Sequence, residues 1–92
     1  MRHTDEEERV LAAAIRKYGP RGQLIVAAEE LGELQKEIFK ALRGMPRKAA
    51  LAEEIADVEI MLRQLKMIYG NHAEVAEERR RKVARLRARV EG

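Results

Sequence analysis

Two short acidic clusters are the residues of this chain best suited to do chemistry: Glu29-Glu30-Leu31-Gly32-Glu33 and Glu53-Glu54-Ile55-Ala56-Asp57. Both fall in stretches rich in Ala, Leu, Glu and Lys, where helix is expected. On a helix, Glu30 and Glu33 lie on neighbouring surface positions, as do Glu54 and Asp57, so each cluster holds a like-charge pair that tends to weaken an isolated helix. A turn of about 100° per residue puts Glu30 and Glu33 on one shoulder of the apolar stripe of their helix, with Glu29 facing nearly the opposite way. The same rotation places Glu54 beside its stripe and Asp57 beyond it, with Glu53 turned away. Four carboxylates meeting at one groove would repel each other if left bare. They would also offer the hard oxygen donors that Mg²⁺ or Mn²⁺ prefers, with positions left for phosphate and water. The plain alternative is a set of salt bridges to Lys and Arg, which is reasonable in a chain with 38% charged residues.

Helices must position these acids, and the chain is punctuated accordingly at Gly19-Pro20, Gly22, Gly44-Met45-Pro46 and Gly70-Asn71. Four helices are expected. The first starts at Thr4, with Glu7 answering as a capping partner, and stops near Gly19, where Pro20 blocks its continuation. The second runs from about Gly22 to Arg43, with Leu24, Ala27, Leu31, Leu34, Ile38 and Ala41 as its seam. The third runs from about Pro46 to Tyr69 on Leu51, Ile55, Val58, Leu62, Leu65 and Tyr69, with Pro46 suited to the first helical position. Asn71 and Glu74 cap a fourth helix to about Val90, whose stripe of Ala76, Val83, Leu86 and Val90 is narrower and should pack less deeply. The fold class is therefore all-α, a four-helix bundle-like protomer.

The 92 residues make one domain, 1–92, with room for no second core. Hydrophobic residues reach 46%, but many are Ala, Trp is missing, and Tyr18, Phe39 and Tyr69 are the aromatics, so the core of one protomer is thin. Assembly into a homodimer, or a tetramer of two such dimers, is expected on that ground. With no Cys, disulfides, thiolate metal sites and Cys nucleophiles are excluded. The first eight residues hold no apolar signal region and no run is long enough to span a bilayer, so a cytoplasmic protein without membrane contact is expected. The net charge of +3 concentrates around Arg79-Arg80-Arg81-Lys82. A nucleic-acid partner is not expected, because aromatics for base stacking are missing there. His3 and His72 lack a Glu three residues before them, which argues against the Glu-x-x-His pattern of di-iron bundles.

An EExxE motif followed about twenty residues later by ExxD, read here as Glu29-Glu30-Leu31-Gly32-Glu33 and Glu54-Ile55-Ala56-Asp57, resembles the all-α NTP pyrophosphohydrolase superfamily that includes MazG. The stretches Gln23–Gly44 and Leu51–Gly70, with the Lys82-x-x-Arg85-Leu86 ending, are similar to short MazG-like proteins of phages and bacteria. The resemblance implies that Glu30, Glu33, Glu54 and Asp57 bind Mg²⁺, or Mn²⁺ in its place. It further implies hydrolysis of a nucleoside triphosphate, NTP or dNTP, to the monophosphate and pyrophosphate. Lys40, Lys82 and Arg85 are candidates to neutralise phosphate. Gln23, two turns before Glu30 on nearly the same row, is a candidate for a nucleobase contact. The competing expectation is a non-enzymatic helical oligomerisation or adaptor protein whose acids are simply charged seams.

Overall fold

The structure is a computed structural model and describes residues 3–92, with side chains described from residue 6 onward. Four helices follow one another: α1 (His3–Tyr18), α2 (Pro20–Leu42), α3 (Lys48–Tyr69) and α4 (His72–Glu91). No strand occurs among the described residues, so the all-α class holds. No described helix is long and apolar enough to cross a membrane.

The turns follow from local chemistry. Gly19, at φ 83°, takes a conformation that L side chains rarely adopt and lets the chain reverse between α1 and α2. α1 stops at Tyr18, before Pro20, as expected, and Pro20 also opens α2, because its missing N–H and fixed φ cost nothing in a first turn. At the far end of α2, Gly44 at φ 83° allows a Schellman closure in which the Met45 amide donates to the Lys40 carbonyl at 2.9 Å and Gly44 to Ala41 at 3.0 Å. α3 then begins at Lys48 with Arg47 at its N-cap, so Pro46 stands before the helix and not in its first turn. Gly70, left-handed at φ 63°, ends α3 in the same spirit. Asn71 does occupy the N-cap of α4, but its side chain makes no capping bond and its Oδ1 is buried without a hydrogen-bond partner among the described residues. α1 begins at His3, one residue ahead of Thr4, whose capping role lies outside the described side chains.

The long antiparallel pair α2 and α3 forms the body, α1 packs on both, and α4 touches only the end of α3. The core is indeed thin. Among the described residues, the buried hydrophobic side chains are Leu11, Ala27, Val58 and Met61, each large one contributing on the order of 2 kcal/mol. Gln64 is 2% exposed and donates from Nε2 to the Leu11 carbonyl at 3.3 Å, tying α1 to α3. Arg63 adds ion pairs from α3 to Glu7 and Glu8 of α1.

The seams of α2 and α3 depart from expectation in one respect. The α2 face turned into the protomer runs through Gln23, Ala27, Glu30, Leu34 and Glu37, while Leu31 and Ile38 stay exposed. On α3 the covered face is Val58, Met61 and Gln64, while Ile55, Leu62 and Tyr69 are exposed. Each apolar stripe is wider than its neighbour within the protomer can cover, so only one flank is buried. α4 has no buried residue, in line with its shallow expected packing.

Candidate metal centre

α2 and α3 run antiparallel with Ala27 and Val58 in their shared seam, and this fixes the height at which the acids meet. Glu30 follows Ala27 on α2; Glu54 and Asp57 precede Val58 on α3. One carboxylate oxygen from each of Glu30, Glu54 and Asp57 lies within 4.8 Å of the others. Around a six-coordinate Mg²⁺ with bonds of about 2.1 Å, ligand oxygens sit roughly 3 to 4 Å apart, so small side-chain rotations close the set. Glu30 and Glu54 are half-buried and Asp57 is exposed, which leaves the group open to solvent on one side.

The electrostatics show a cluster short of positive charge. Glu30 shares a hydrogen bond with Asp57, which together with burial and the nearby charges of Asp57, Glu54 and Glu33 pushes its carboxyl above the usual range. Burial pushes Glu54 up as well, aided by Asp57, Glu33, Glu37 and Glu53. The Oε2 of Glu54 is buried and has no hydrogen-bond partner among the described residues. A buried carboxylate oxygen without a donor is costly, and a divalent cation is the ligand that three converging hard oxygens would satisfy.

Three of the four acids singled out in the sequence are thus brought together. Glu33 stands beside them, close enough to act on the charges of Glu30 and Glu54, but it is half exposed and accepts from Lys36 Nζ at 3.4 Å. Glu29 and Glu53 are exposed, as their rotation on the helix required.

Lys40 is held away from this set: its Nζ donates to Glu37 at 3.3 Å. Gln23 is buried, two turns from Glu30, and lies inside the seam and not at an open mouth. Lys82 and Arg85 gather on α4 with Glu78 and Arg81 around a shallow hollow, apart from the acids. Glu78 is held below the usual carboxylate range there, chiefly by its hydrogen bond to Arg81.

The sequence reading does not single out Glu37, yet it is 7% exposed and the most deeply buried acid described. Arg47 reaches back across the α2–α3 turn to clasp it, Nη2 to Oε2 at 2.6 Å and Nε to Oε1 at 3.3 Å. This two-pronged bond, with Lys40 behind it, lowers the Glu37 carboxyl below its usual range. The signal for it was available: Glu37 lies two turns after Glu30 on nearly the same row, and Arg47 ends the turn that follows.

Comparison with known proteins found no family model, no curated protein and no solved structure that matches the chain.

Proposed function

We propose that this chain is a Mg²⁺-dependent nucleoside triphosphate pyrophosphohydrolase of the MazG-like kind, taking NTP or dNTP to the monophosphate and pyrophosphate. The observation that supports it most is the convergence of Glu30, Glu54 and Asp57 on one point, with a buried Glu54 oxygen that no protein donor satisfies. In this reading those three carboxylates hold Mg²⁺, or Mn²⁺, and Glu33 joins them by turning from Lys36. A divalent cation bound there would neutralise charge on the triphosphate and lower the pKa of the attacking water. Lys36 and Lys40 follow the acids on α2 and, once released from Glu33 and Glu37, are candidates to neutralise the phosphates. Lys82 and Arg85 could serve only through a rearrangement of α4 or from another copy. Self-association into a dimer or a pair of dimers, and a cytoplasmic setting, belong to the same reading.

The exposed apolar flanks of α2 and α3 favour a second reading, a helical assembly or adaptor without catalysis. The two part on metal. Pyrophosphate release should be measured from a panel of canonical and modified NTPs and dNTPs, with and without Mg²⁺ or Mn²⁺. Native protein is expected to release pyrophosphate only with metal. The E54Q/D57N variant should lose on the order of 10³-fold or more, since several kcal/mol of charge stabilisation go with the metal. No release from any nucleotide, with metal leaving thermal stability unchanged, selects the assembly.

A further inference from the structure

The α2–α3 pair has two flanks. Glu30 and Asp57 lie on one side of the buried seam; turning the other way by about 100° per residue leads to a second row of side chains. On α2 that row is Leu24, Ala28, Leu31, Gln35, Ile38 and Leu42, without a single charge over five turns. On α3 it continues through Ile55, Leu62 and Tyr69. Leu31, Ile38 and Leu62 are each 46% exposed and Leu42 is 75% exposed. Because the helices are antiparallel, the two rows open to the same side; the α2 row is uncharged, and on α3 the apolar positions alternate with Glu59 and Lys66. α4 walls one edge of that side, where a groove of about 790 Å³ has an apolar floor of Leu62, Leu65, Tyr69 and Val75 and a charged rim that includes Glu59, Lys66 and Arg79.

The protomer is also too open for its mass. Its radius of gyration is 15.9 Å, against roughly 12 Å for a compact chain of this length. Its accessible surface is 7463 Å², against roughly 5,500 Å² for a folded monomer of the same mass. The excess is about 2,000 Å² per chain. Counted on two chains, it falls in the range of roughly 2,000–5,000 Å² that obligate homodimers bury.

We infer that this apolar flank is the face on which a second copy of the chain packs, around a two-fold axis that sets α2 against α2 and leaves the acidic flanks facing outward. A nucleic acid or a charged peptide would find no opposite charge on the α2 row. A second copy finds its own surface, with no like charges to oppose across the axis. The α3–α4 groove lies at the border of this face, so α4 grips the edge of the neighbour. The inference rests on the expectation of self-association, not on hydrolysis.

The test is light scattering on the whole chain, paired with cross-linking. Native protein should show at least twice the mass of one 10.6 kDa chain. The L31E/I38E variant should fall at least twofold in mass while its circular dichroism stays helical. Because the chain has no cysteine, single cysteines report the face even if that variant fails to fold. Q35C, midway along the exposed α2 row and so close to the two-fold axis, should give a covalent dimer with a short bis-maleimide, and the exposed E53C on α3 should not. A native mass of one chain overturns self-association itself. An oligomer whose mass is unchanged in the folded variant, or that cross-links through E53C and not Q35C, overturns the assigned face alone. Pyrophosphate release from the same samples reports separately on the metal site.

Discussion

Two acidic regions share the α2–α3 seam, two turns apart, and the protein has treated them in opposite ways. Around Glu37 the chain supplies its own cations: Arg47 clasps the carboxylate with two nitrogens and Lys40 stands behind it. Around Glu30, Glu54 and Asp57 it supplies more acid, and one buried oxygen is left without a donor. The carboxyl of Glu37 is correspondingly pulled below its usual range, chiefly by Arg47, and those of Glu30 and Glu54 are pushed above it. Burial alone therefore does not mark a site in this fold. What separates a structural acid from a candidate ligand is whether the neutralising charge is encoded nearby in the chain or is left to arrive from solution.

The comparison is broken most directly with metal. If the cluster awaits a divalent cation, Mg²⁺ or Mn²⁺ at about a hundred times its Kd should raise the melting temperature by on the order of 10 °C. E54Q/D57N should lose that gain, while E37Q should keep it; equal gains in all three proteins would erase the distinction drawn between the two regions. Next comes R47A, which leaves Glu37 buried without its strongest partner. It should lower the melting temperature by on the order of 5 °C with or without metal, measured by circular dichroism.

A smaller effect of opposite sign is expected from E54Q in the absence of metal. Removing one of several repelling carboxylates should raise the melting temperature by a few degrees, provided the amide finds the partner that Oε2 lacks. The pH dependence follows the same division. Glu30 and Glu54, with raised values, contribute stability that is present below the ordinary carboxylate pKa and lost as pH rises through the raised one. Glu37, with a lowered value, contributes stability that is present above the ordinary pKa and lost only as pH falls through its depressed one. Metal-free native protein should therefore melt higher as pH falls from neutrality to about 5, just above the ordinary carboxylate pKa, and E54Q should show less of that rise. The smallest effect belongs to α4: E78A, which breaks an exposed pair with Arg81, should leave the melting curve where it is, since such pairs contribute little.

Much of the fold was legible because helix and turn signals in this chain agree. Gly and Pro divide it into four segments, and four helices occupy them. The two prolines show the margin: Pro20 ends the first helix as expected but also opens the second, two residues before its expected start, and Pro46 precedes a helix it was expected to start. Both outcomes depend on turn geometry that composition does not fix. Of the four acids, Glu30, Glu54 and Asp57 converge as rotation on two facing helices implies. The exposed position of Glu33 depends on a side-chain torsion and a nearby Lys36, which spacing does not determine. Glu37 escaped notice because its partner Arg47 lies ten residues on and meets it only when the turn closes. Periodicity found the apolar stripes but not their cover. A repeat of three and four residues says that a helix has an apolar side, not whether its own chain or another one lies against it.

The hairpin closed by Arg47 also bears on the order in which the molecule is made. Everything that builds the acidic cluster is encoded before residue 58, and everything packed around it, from Leu11 to Gln64, precedes α4. Most of the contacts join helices adjacent along the chain, the kind of topology that folds fastest. α1 to α3 hold among themselves the contacts that bring the three carboxylates together, so the cluster can form before α4 docks. A divalent cation, were one to bind, would find its ligands assembled before the last helix is in place.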